Sequence, residues 1–141
     1  QRDENITEVL AITKNHQYKG LIITLLYKDI VLLDYFAILD QFRGEGLGAE
    51  TLKTFKERYP DQRLILEIEI PEESAPNNAQ RLSRKKFYLR NGLKETQISN
   101  INADGVKLQT LAFTETITYD EYMEMCVVSL GKKVAKRFTR I

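Results

Sequence analysis

The segment from Val31 to Pro60 constrains the fold more than any other part of the sequence. It opens with a nearly continuous apolar run, VLLDYFAIL, which predicts a buried β-strand from Val31 to Leu39. A helix is then predicted up to Pro60, because apolar residues recur at mostly three- to four-residue spacing. Those apolar residues are Leu47, Leu52, Phe55 and Tyr59. Three glycines join the strand to the helix, namely Gly44, Gly46 and Gly48.

Glycines at the start of a helix favour an anion-binding site. The first backbone N–H groups of a helix have no intrahelical partner, and the helix dipole makes that end mildly positive. A phosphate satisfies both deficits, and glycine lets the amides approach it closely. The segment lacks the Lys and Ser/Thr of a P-loop, and Ala49 breaks the pattern G-x-G-x-x-G. Spacing therefore predicts a site for a diphosphate-like anion without a metal, and the alternative is a tight turn with no ligand.

Further strands and helices are predicted on both sides of this segment. The predicted strands are Glu8–Asn15, Lys19–Asp29, Arg63–Pro71, Leu93–Ile101 and Val106–Thr114. A second helix is predicted over 79–92, ending at Asn91-Gly92, and NADG predicts a hairpin turn. Because strands dominate and the helices lie between them, the sequence predicts a mixed α/β sheet.

The last predicted helix spans residues 118–139. Thr118 and Glu121 fit a capping box at its start. An apolar stripe is predicted along it, consisting of Met123, Val127, Leu130 and Val134. This helix is expected to pack on the domain or on a second subunit.

Length and composition bound the class of protein. The 141 residues carry a formal net charge of +1, so no global field favours nucleic acid or a membrane. A single cysteine, Cys126, excludes an intramolecular disulfide and is compatible with a reducing compartment. We expect one cytoplasmic-type domain over 1–141. Because the first residue is Gln1 rather than Met, some N-terminal sequence is expected to be missing.

Two motifs carry a resemblance to a known family. The segment AILDQFRGEGLGAETL resembles the acetyl-CoA signature of the GNAT superfamily of N-acyltransferases, Q/R-x-x-G-x-G/A. Gln41, Gly44 and Gly46 match its core, and its commonest extension is matched by Arg43, Leu47 and Gly48. The segment FYLRNGL resembles the family's L-Y-x-x-x-G-F pattern through Phe87, Tyr88, Gly92 and Leu93. The order of elements from Glu8 to Phe113 fits as well.

The resemblance implies a fold and a co-substrate. The fold is a mixed, mostly antiparallel sheet with crossover helices, splayed at its two central strands. The co-substrate is acetyl-CoA, with no metal, and the loop amides would hold its pyrophosphate while the preceding strand pairs with the pantetheine arm. The residues expected to bind it are Ala37, Ile38, Leu39, Gln41, Phe42, Arg43, Gly44, Glu45, Gly46, Leu47, Gly48 and Tyr88. Arg84 is added because basic residues share a face of the second helix with Tyr88, and CoA is strongly anionic.

Acyl transfer to an amine needs a base and benefits from an acid. Tyr88 is the candidate acid, because it matches the family tyrosine that points at the CoA sulfur. Glu67 and Glu69 are the candidate bases, since they leave the same face of a predicted strand. Either carboxylate could serve, and the alternative is that both are solvated or salt-bridged.

Other polar residues carry weaker expectations. Asp34 is a weaker candidate on the CoA-binding strand, and His16 is expected to be a solvated turn residue. Cys126 is expected to pack in the core or an interface. The family commonly has an asparagine seven residues before the tyrosine, where this sequence has Arg81. Asn77 and Asn78 lie nearby, and whether they substitute is left open.

The leading functional hypothesis is an N-acetyltransferase. It would move an acetyl group from acetyl-CoA to a primary amine, on a small molecule or a peptide, by direct attack in a ternary complex. The alternative is a non-catalytic acyl-CoA-binding or sensing domain. A nucleic-acid-binding module fits poorly, because the strands carry no basic stripe interleaved with aromatic residues. Homodimers are common in the family that the sequence resembles.

Overall fold

The computed structural model describes residues 6–113, 116–130 and 139–140. The chain divides into two compact units, residues 1–64 and residues 65–141, which we call unit 1 and unit 2. Within the described ranges, no helix combines the length and the apolar character that crossing a membrane requires.

Unit 1 is an antiparallel meander of strands followed by a helix. Its elements are β1 (Ile6–Lys14), β2 (Gln17–Tyr27), β3 (Ile30–Ile38), a 3₁₀ turn (Asp40–Phe42) and α1 (Leu47–Arg58). β2 pairs antiparallel with β1 and with β3. The strands and the helix predicted for this region are therefore confirmed, with boundaries that differ by at most two residues.

The core of unit 1 is formed mainly by side chains of β2, β3 and α1. Its buried apolar side chains include Leu26, Ile30, Val31, Leu33, Leu52 and Phe55. At the edge of this core Asp29 accepts two hydrogen bonds of 2.8 Å from the guanidinium of Arg63. This bidentate pair lowers the pKa of Asp29, mainly through the hydrogen bonds from Arg63. It connects the turn between β2 and β3 to Arg63, where the strand after α1 begins.

Unit 2 contains the remaining strands and two helices. Its elements are β4 (Arg63–Glu69, which begins in unit 1), α2 (Asn78–Arg90), β5 (Lys94–Ile101), β6 (Lys107–Ala112), α3 (Tyr119–Leu130) and β7 (Thr139–Arg140). β4 pairs with β6, β6 with β5, and β5 with β7, all antiparallel. The predicted mixed α/β fold with mostly antiparallel strands is confirmed, and the splaying that the resemblance implies stays a prediction.

The end of α2, the start of α3 and the hairpin turn predicted for unit 2 are present in the structure. Gly92 has φ +97°, and the next amide, that of Leu93, donates to the carbonyl of Tyr88 at 3.1 Å, which closes the end of α2. Gly105 has φ +80° in the turn between β5 and β6. The capping box also forms: Thr118 N–H donates to Glu121 Oε1 at 2.9 Å, and Glu121 N–H donates to Thr118 Oγ1 at 3.1 Å.

The apolar stripe predicted on α3 is wrong in its register. Tyr122, Met125 and Cys126 are buried, whereas Met123 and Val127 are only half-buried. The buried set has the same helical spacing of three and four residues, so the pattern alone allowed both faces. Cys126 packs in the core as expected. Leu130 ends the helix, while Val134 and the segment 131–138 of the predicted helix lie outside the described residues.

Gly20 is required by a close approach between β2 and β3. A Cβ at Gly20 would lie 2.3 Å from the carbonyl oxygen of Ala37 and 3.1 Å from the Cα of Ile38. Both atoms belong to the backbone, so neither can move away cheaply. We expect Gly20→Ala to lower the free energy of unfolding by about 2 kcal/mol, measured by urea denaturation.

The matched control for this substitution is Gly105→Ala. A Cβ at Gly105 meets no heavy atom within 4 Å, and the residue has φ +80°. Its replacement should therefore cost only backbone strain, about 1 kcal/mol. Equal losses for the two variants would contradict the close approach at Gly20.

Candidate functional site

The glycine segment forms a loop between the 3₁₀ turn and α1. Gly44 has φ +83° and Gly46, the residue that caps the helix, has φ +76°. Both values lie in the left-handed region that glycine adopts without strain. A Cβ at either position would meet no heavy atom within 4 Å. The glycines are therefore needed for the backbone path, and open space lies in front of them.

The loop presents a row of backbone amides. The N–H of Glu50 makes the first helical bond, to the carbonyl of Gly46 at 3.2 Å. Before it, the amides of residues 44–49 donate to no residue in the described ranges, and the helix has no side-chain cap. These amides lie at the positive end of the α1 dipole. This arrangement can bind an anion with several oxygens, such as a diphosphate.

The residues leading into the loop are held by the chain itself. The amide of Leu39 donates to the carbonyl of Lys19 at 2.8 Å, and Arg43 Nε donates to the carbonyl of Ile38 at 3.2 Å. Arg43 also pairs with Asp40 at 3.3 Å. The amide of Leu39 and the carbonyl of Ile38 are thus each hydrogen-bonded within the chain, and the ligand contacts predicted for both residues stay predictions. The ligand contacts predicted for Ala37, Gln41, Phe42 and Glu45 stay predictions.

A bulge in β3 determines how Asp34 is presented. Ile23 pairs with Tyr35 and Thr24 pairs with Leu33, which leaves Asp34 without an opposite residue. As a result Asp34 and Tyr35 are both exposed, although consecutive strand residues normally point to opposite faces. Asp34 thus faces solvent within unit 1. His16 is exposed in the turn between β1 and β2, as expected.

The candidate bases share one face of β4, and each has its own partners in unit 2. Glu67 and Glu69 are half-buried, while Leu66 before them and Ile68 between them are buried. Glu67 Oε2 accepts a hydrogen bond of 2.7 Å from the hydroxyl of Tyr122 on α3. Burial raises the pKa of Tyr122 above its ordinary range, and the Glu67 carboxylate beside it raises the pKa further. Tyr122 therefore stays protonated and donates to the carboxylate.

Glu69 is held by cations from α2. Its carboxylate lies 3.1 Å from Arg81 Nη2 and 3.7 Å from Arg84 Nη1, and Asn77 Nδ2 donates to it at 3.4 Å. Arg81 also donates to Asn77 Oδ1 at 2.8 Å and to the carbonyl of Ile70 at 3.1 Å. The salt-bridged alternative is thus observed for Glu69. Arg81 stands where the family that the sequence resembles commonly has an asparagine, and it binds Glu69 together with Asn77.

The basic face predicted on α2 is mostly engaged inside unit 2. Lys85 pairs with Glu95 at 2.5 Å, and Arg81 and Arg84 pair with Glu69. Arg84 is half-exposed, and its predicted contact with CoA phosphates stays a prediction. Asn78 Oδ1 accepts from the amide of Glu72 at 2.7 Å, so it too serves the chain.

Tyr88 lies on α2 with its hydroxyl uncommitted. Within the described part of the chain this hydroxyl makes no hydrogen bond. Burial raises the pKa of Tyr88, and the positive charge of Arg84 opposes that rise in part. The phenol is therefore protonated at neutral pH and can donate to a ligand. Its aromatic neighbour is Phe87, at 5.3 Å between ring centroids.

Two residues of interest were missed by sequence reasoning. The sequence pattern predicts an apolar stripe on the adjacent face of α3, and Tyr122 is not part of that stripe. The capping box gives the start of the helix, but it does not show which face is buried. The contact of Tyr122 with Glu67 joins residues 55 positions apart, which no local pattern reveals. Lys19 was missed because it reads as an ordinary exposed strand residue, yet it is only 8% exposed.

A cavity of about 330 Å³ lies in unit 1 between β1 and α1. Of the predicted cofactor-binding residues, Leu47 lines it and the glycines do not. The Lys14–Glu50 ion pair, at 2.9 Å, joins two of its lining residues. The cavity therefore borders the row of free amides only at Leu47. In the described ranges, no group of three or more His, Cys, Asp and Glu side chains is arranged to hold a metal ion.

Comparison with known proteins gives structural neighbours only. No family model and no curated protein matches the sequence. Among solved structures, the chain is similar to a protein of Bacteroides thetaiotaomicron assigned to the GNAT family of acetyltransferases. The TM-score is 0.71 and the identity 19%, over 89% of this chain and 73% of the other.

Two further neighbours have named properties of their own. The ribosomal-protein-S18-alanine N-acetyltransferase of Escherichia coli matches with a TM-score of 0.58 and 18% identity, over 84% of this chain and 74% of that one. A Bacillus subtilis acetyltransferase in complex with CoA matches with a TM-score of 0.62 and 9% identity, over 78% of each chain. The chain therefore has the fold of the GNAT-family acetyltransferases.

Proposed function

We propose that this protein is an acetyl-CoA-dependent N-acetyltransferase that acetylates a primary amine by direct attack in a ternary complex. The observation that carries the proposal is the run of amides at residues 44–49 without acceptors, at the start of α1 and inside a segment that resembles the acetyl-CoA signature. The fold supports it, because structural neighbours include an alanine N-acetyltransferase and a protein in complex with CoA.

The reaction requires a neutral amine. An alkylamine with a pKa of about 10.4 is roughly one part in a thousand neutral at pH 7, so a base accelerates the attack. The amine nitrogen bonds to the acetyl carbonyl carbon, the carbon–sulfur bond breaks, and the amine proton passes to the base. The thiolate of CoA leaves and takes up a proton.

Glu67 is the better base of the two glutamates. Glu69 forms ion pairs with two guanidinium groups, those of Arg81 and Arg84, so its carboxylate oxygens are engaged by cations. Glu67 instead accepts a hydrogen bond at Oε2 from the neutral phenol of Tyr122, which holds the carboxylate in place. We assign the base to Glu67 on this difference.

Tyr88 is assigned as the residue that stabilises the leaving thiolate of CoA. Because burial raises its pKa, the phenol is a weak acid, and it stabilises the thiolate mainly by donating a hydrogen bond. The assignment rests on the position of Tyr88 in the FYLRNGL segment and on its uncommitted hydroxyl.

A second candidate function is an acyl-CoA-binding domain without catalysis. It is favoured by one observation: both glutamates of β4 are already engaged, Glu69 with two arginines and Glu67 with Tyr122. A chain that kept the loop and used its carboxylates for structure would look the same at these positions.

One experiment separates the two functions. The protein is titrated with acetyl-CoA by calorimetry, and release of the free CoA thiol is then followed with a panel of small amines and peptides with free N-termini or lysines. We expect binding, and thiol release that depends on one class of amine. Binding without release on any amine would support the binding domain, and absence of binding would contradict both functions.

A further inference from the structure

Lys19 occupies an irregular position in β2. Ile12 on β1 pairs with Gly20 and Thr13 pairs with Tyr18, so Lys19 has no opposite residue. The bulge places Lys19 and Gly20 next to each other in the interior, although neighbouring strand residues usually alternate between faces. Lys19 is 8% exposed as a result.

Both ends of Lys19 are attached to the segment that leads into the glycine loop. Its carbonyl accepts the hydrogen bond from Leu39, and its ammonium lies over the ring of Phe42, 3.9 Å from the ring centroid. Phe42 precedes Gly44 by two residues, a path of at most about 8 Å between Cα atoms. The ammonium is therefore held beside the start of the loop.

The ammonium has an aromatic partner but no anionic one. In the described ranges, Lys19 Nζ makes no ion pair and no hydrogen bond. Burial of a cation without an acceptor is unfavourable, and contact with an aromatic ring offsets this only in part. An anion at the loop would supply an acceptor for this ammonium, because Phe42 lies only two residues before Gly44, where the run of free amides begins.

We infer that Lys19 is a ligand of the CoA diphosphate, acting together with the loop amides. The inference rests on the proposed function and extends it, since Lys19 lies outside the glycine segment that matches the acetyl-CoA signature. The amides fix the position of the diphosphate oxygens, and the ammonium adds a full positive charge beside them. Phe42 keeps the ammonium in place by stacking against it.

The test measures the affinity of Lys19→Met and Lys19→Arg for CoA and for 3′-dephospho-CoA by calorimetry. Methionine keeps the contact with the Phe42 ring and removes the charge. We expect Lys19→Met to weaken both ligands equally, by about 10-fold or more, and Lys19→Arg to restore most of the affinity. The affinity of Lys19→Met should also depend less steeply on salt concentration.

The matched control is Lys53→Met, an exposed lysine of α1, which should bind CoA as the wild type does. Three results would overturn the inference: unchanged affinity in Lys19→Met, a loss in Lys19→Met that Lys19→Arg fails to restore, or a loss confined to CoA, which would place Lys19 at the 3′-phosphate. Failure of the wild type to bind CoA would instead remove the proposed function itself. The two failures are therefore distinguishable.

Discussion

Gly46→Asp is expected to lower the affinity for acetyl-CoA by more than about 100-fold while the protein stays folded. Gly46 caps α1 in a left-handed conformation, which aspartate tolerates, and aspartate is a favourable residue at the start of a helix. Its carboxylate would, however, stand in the open space before the free amides, where a diphosphate is proposed to bind. Two negative groups at one site cost several kcal/mol.

Gly46→Asn is the matched control for this substitution. Asparagine has the same shape and the same tolerance for the left-handed conformation, but no charge. We expect it to weaken binding by only about 10-fold, through crowding of the ligand. Calorimetry gives the affinities, and circular dichroism with thermal unfolding shows whether each variant is folded. If folded Gly46→Asp bound acetyl-CoA as tightly as Gly46→Asn, no anion would bind at this loop.

Glu67→Gln is expected to reduce kcat/KM at pH 7 by about 10²- to 10³-fold, with the affinity for acetyl-CoA unchanged. Glutamine still accepts the hydrogen bond from Tyr122 but cannot take the proton of the amine. General base catalysis contributes on this scale. The deficit should shrink as the pH rises towards the pKa of the amine, because the substrate then needs less help to become neutral. The measurement is a pH profile of kcat/KM with the amine that the panel identifies.

Glu69→Gln separates chemistry from structure on the same strand. It removes the negative partner of Arg81 and Arg84, so we expect lower stability. Its kcat/KM, however, should stay within about 5-fold of the wild type, since no proton transfer is assigned to it. The reverse pattern, with Glu69→Gln inactive and Glu67→Gln active, would reassign the base.

Local patterns predicted most of the fold. The glycine-rich turn, the proline after α1, the capping box at Thr118 and the glycine that ends α2 each reflect interactions over a few residues, and the structure has all of them. The shared face of Glu67 and Glu69 also followed, because side chains in a strand alternate with a period of two.

The predictions failed where long-range packing decides. Two faces of α3 are equally apolar at helical spacing, and only the fold selects the one that buries Met125. The bulge at Lys19 turns a strand lysine inward, and strand pairing rather than sequence pattern reveals it. Tyr122, the partner of Glu67, lies 55 positions away on α3, and the arginine partners of Glu69 lie 12 and 15 positions away on α2. Each of these features depends on which distant elements meet.

The bond between Tyr122 and Glu67 makes the C-terminal helix part of the chemistry proposed for the sheet. A chain with the same strands but a different final segment would keep this carboxylate and lose its donor. The carboxylate would then lose the hydrogen bond that orients it, although no neighbouring position in the strand had altered. Variation after Phe113 would thus change how the proposed base is oriented while the strand that carries it stays the same.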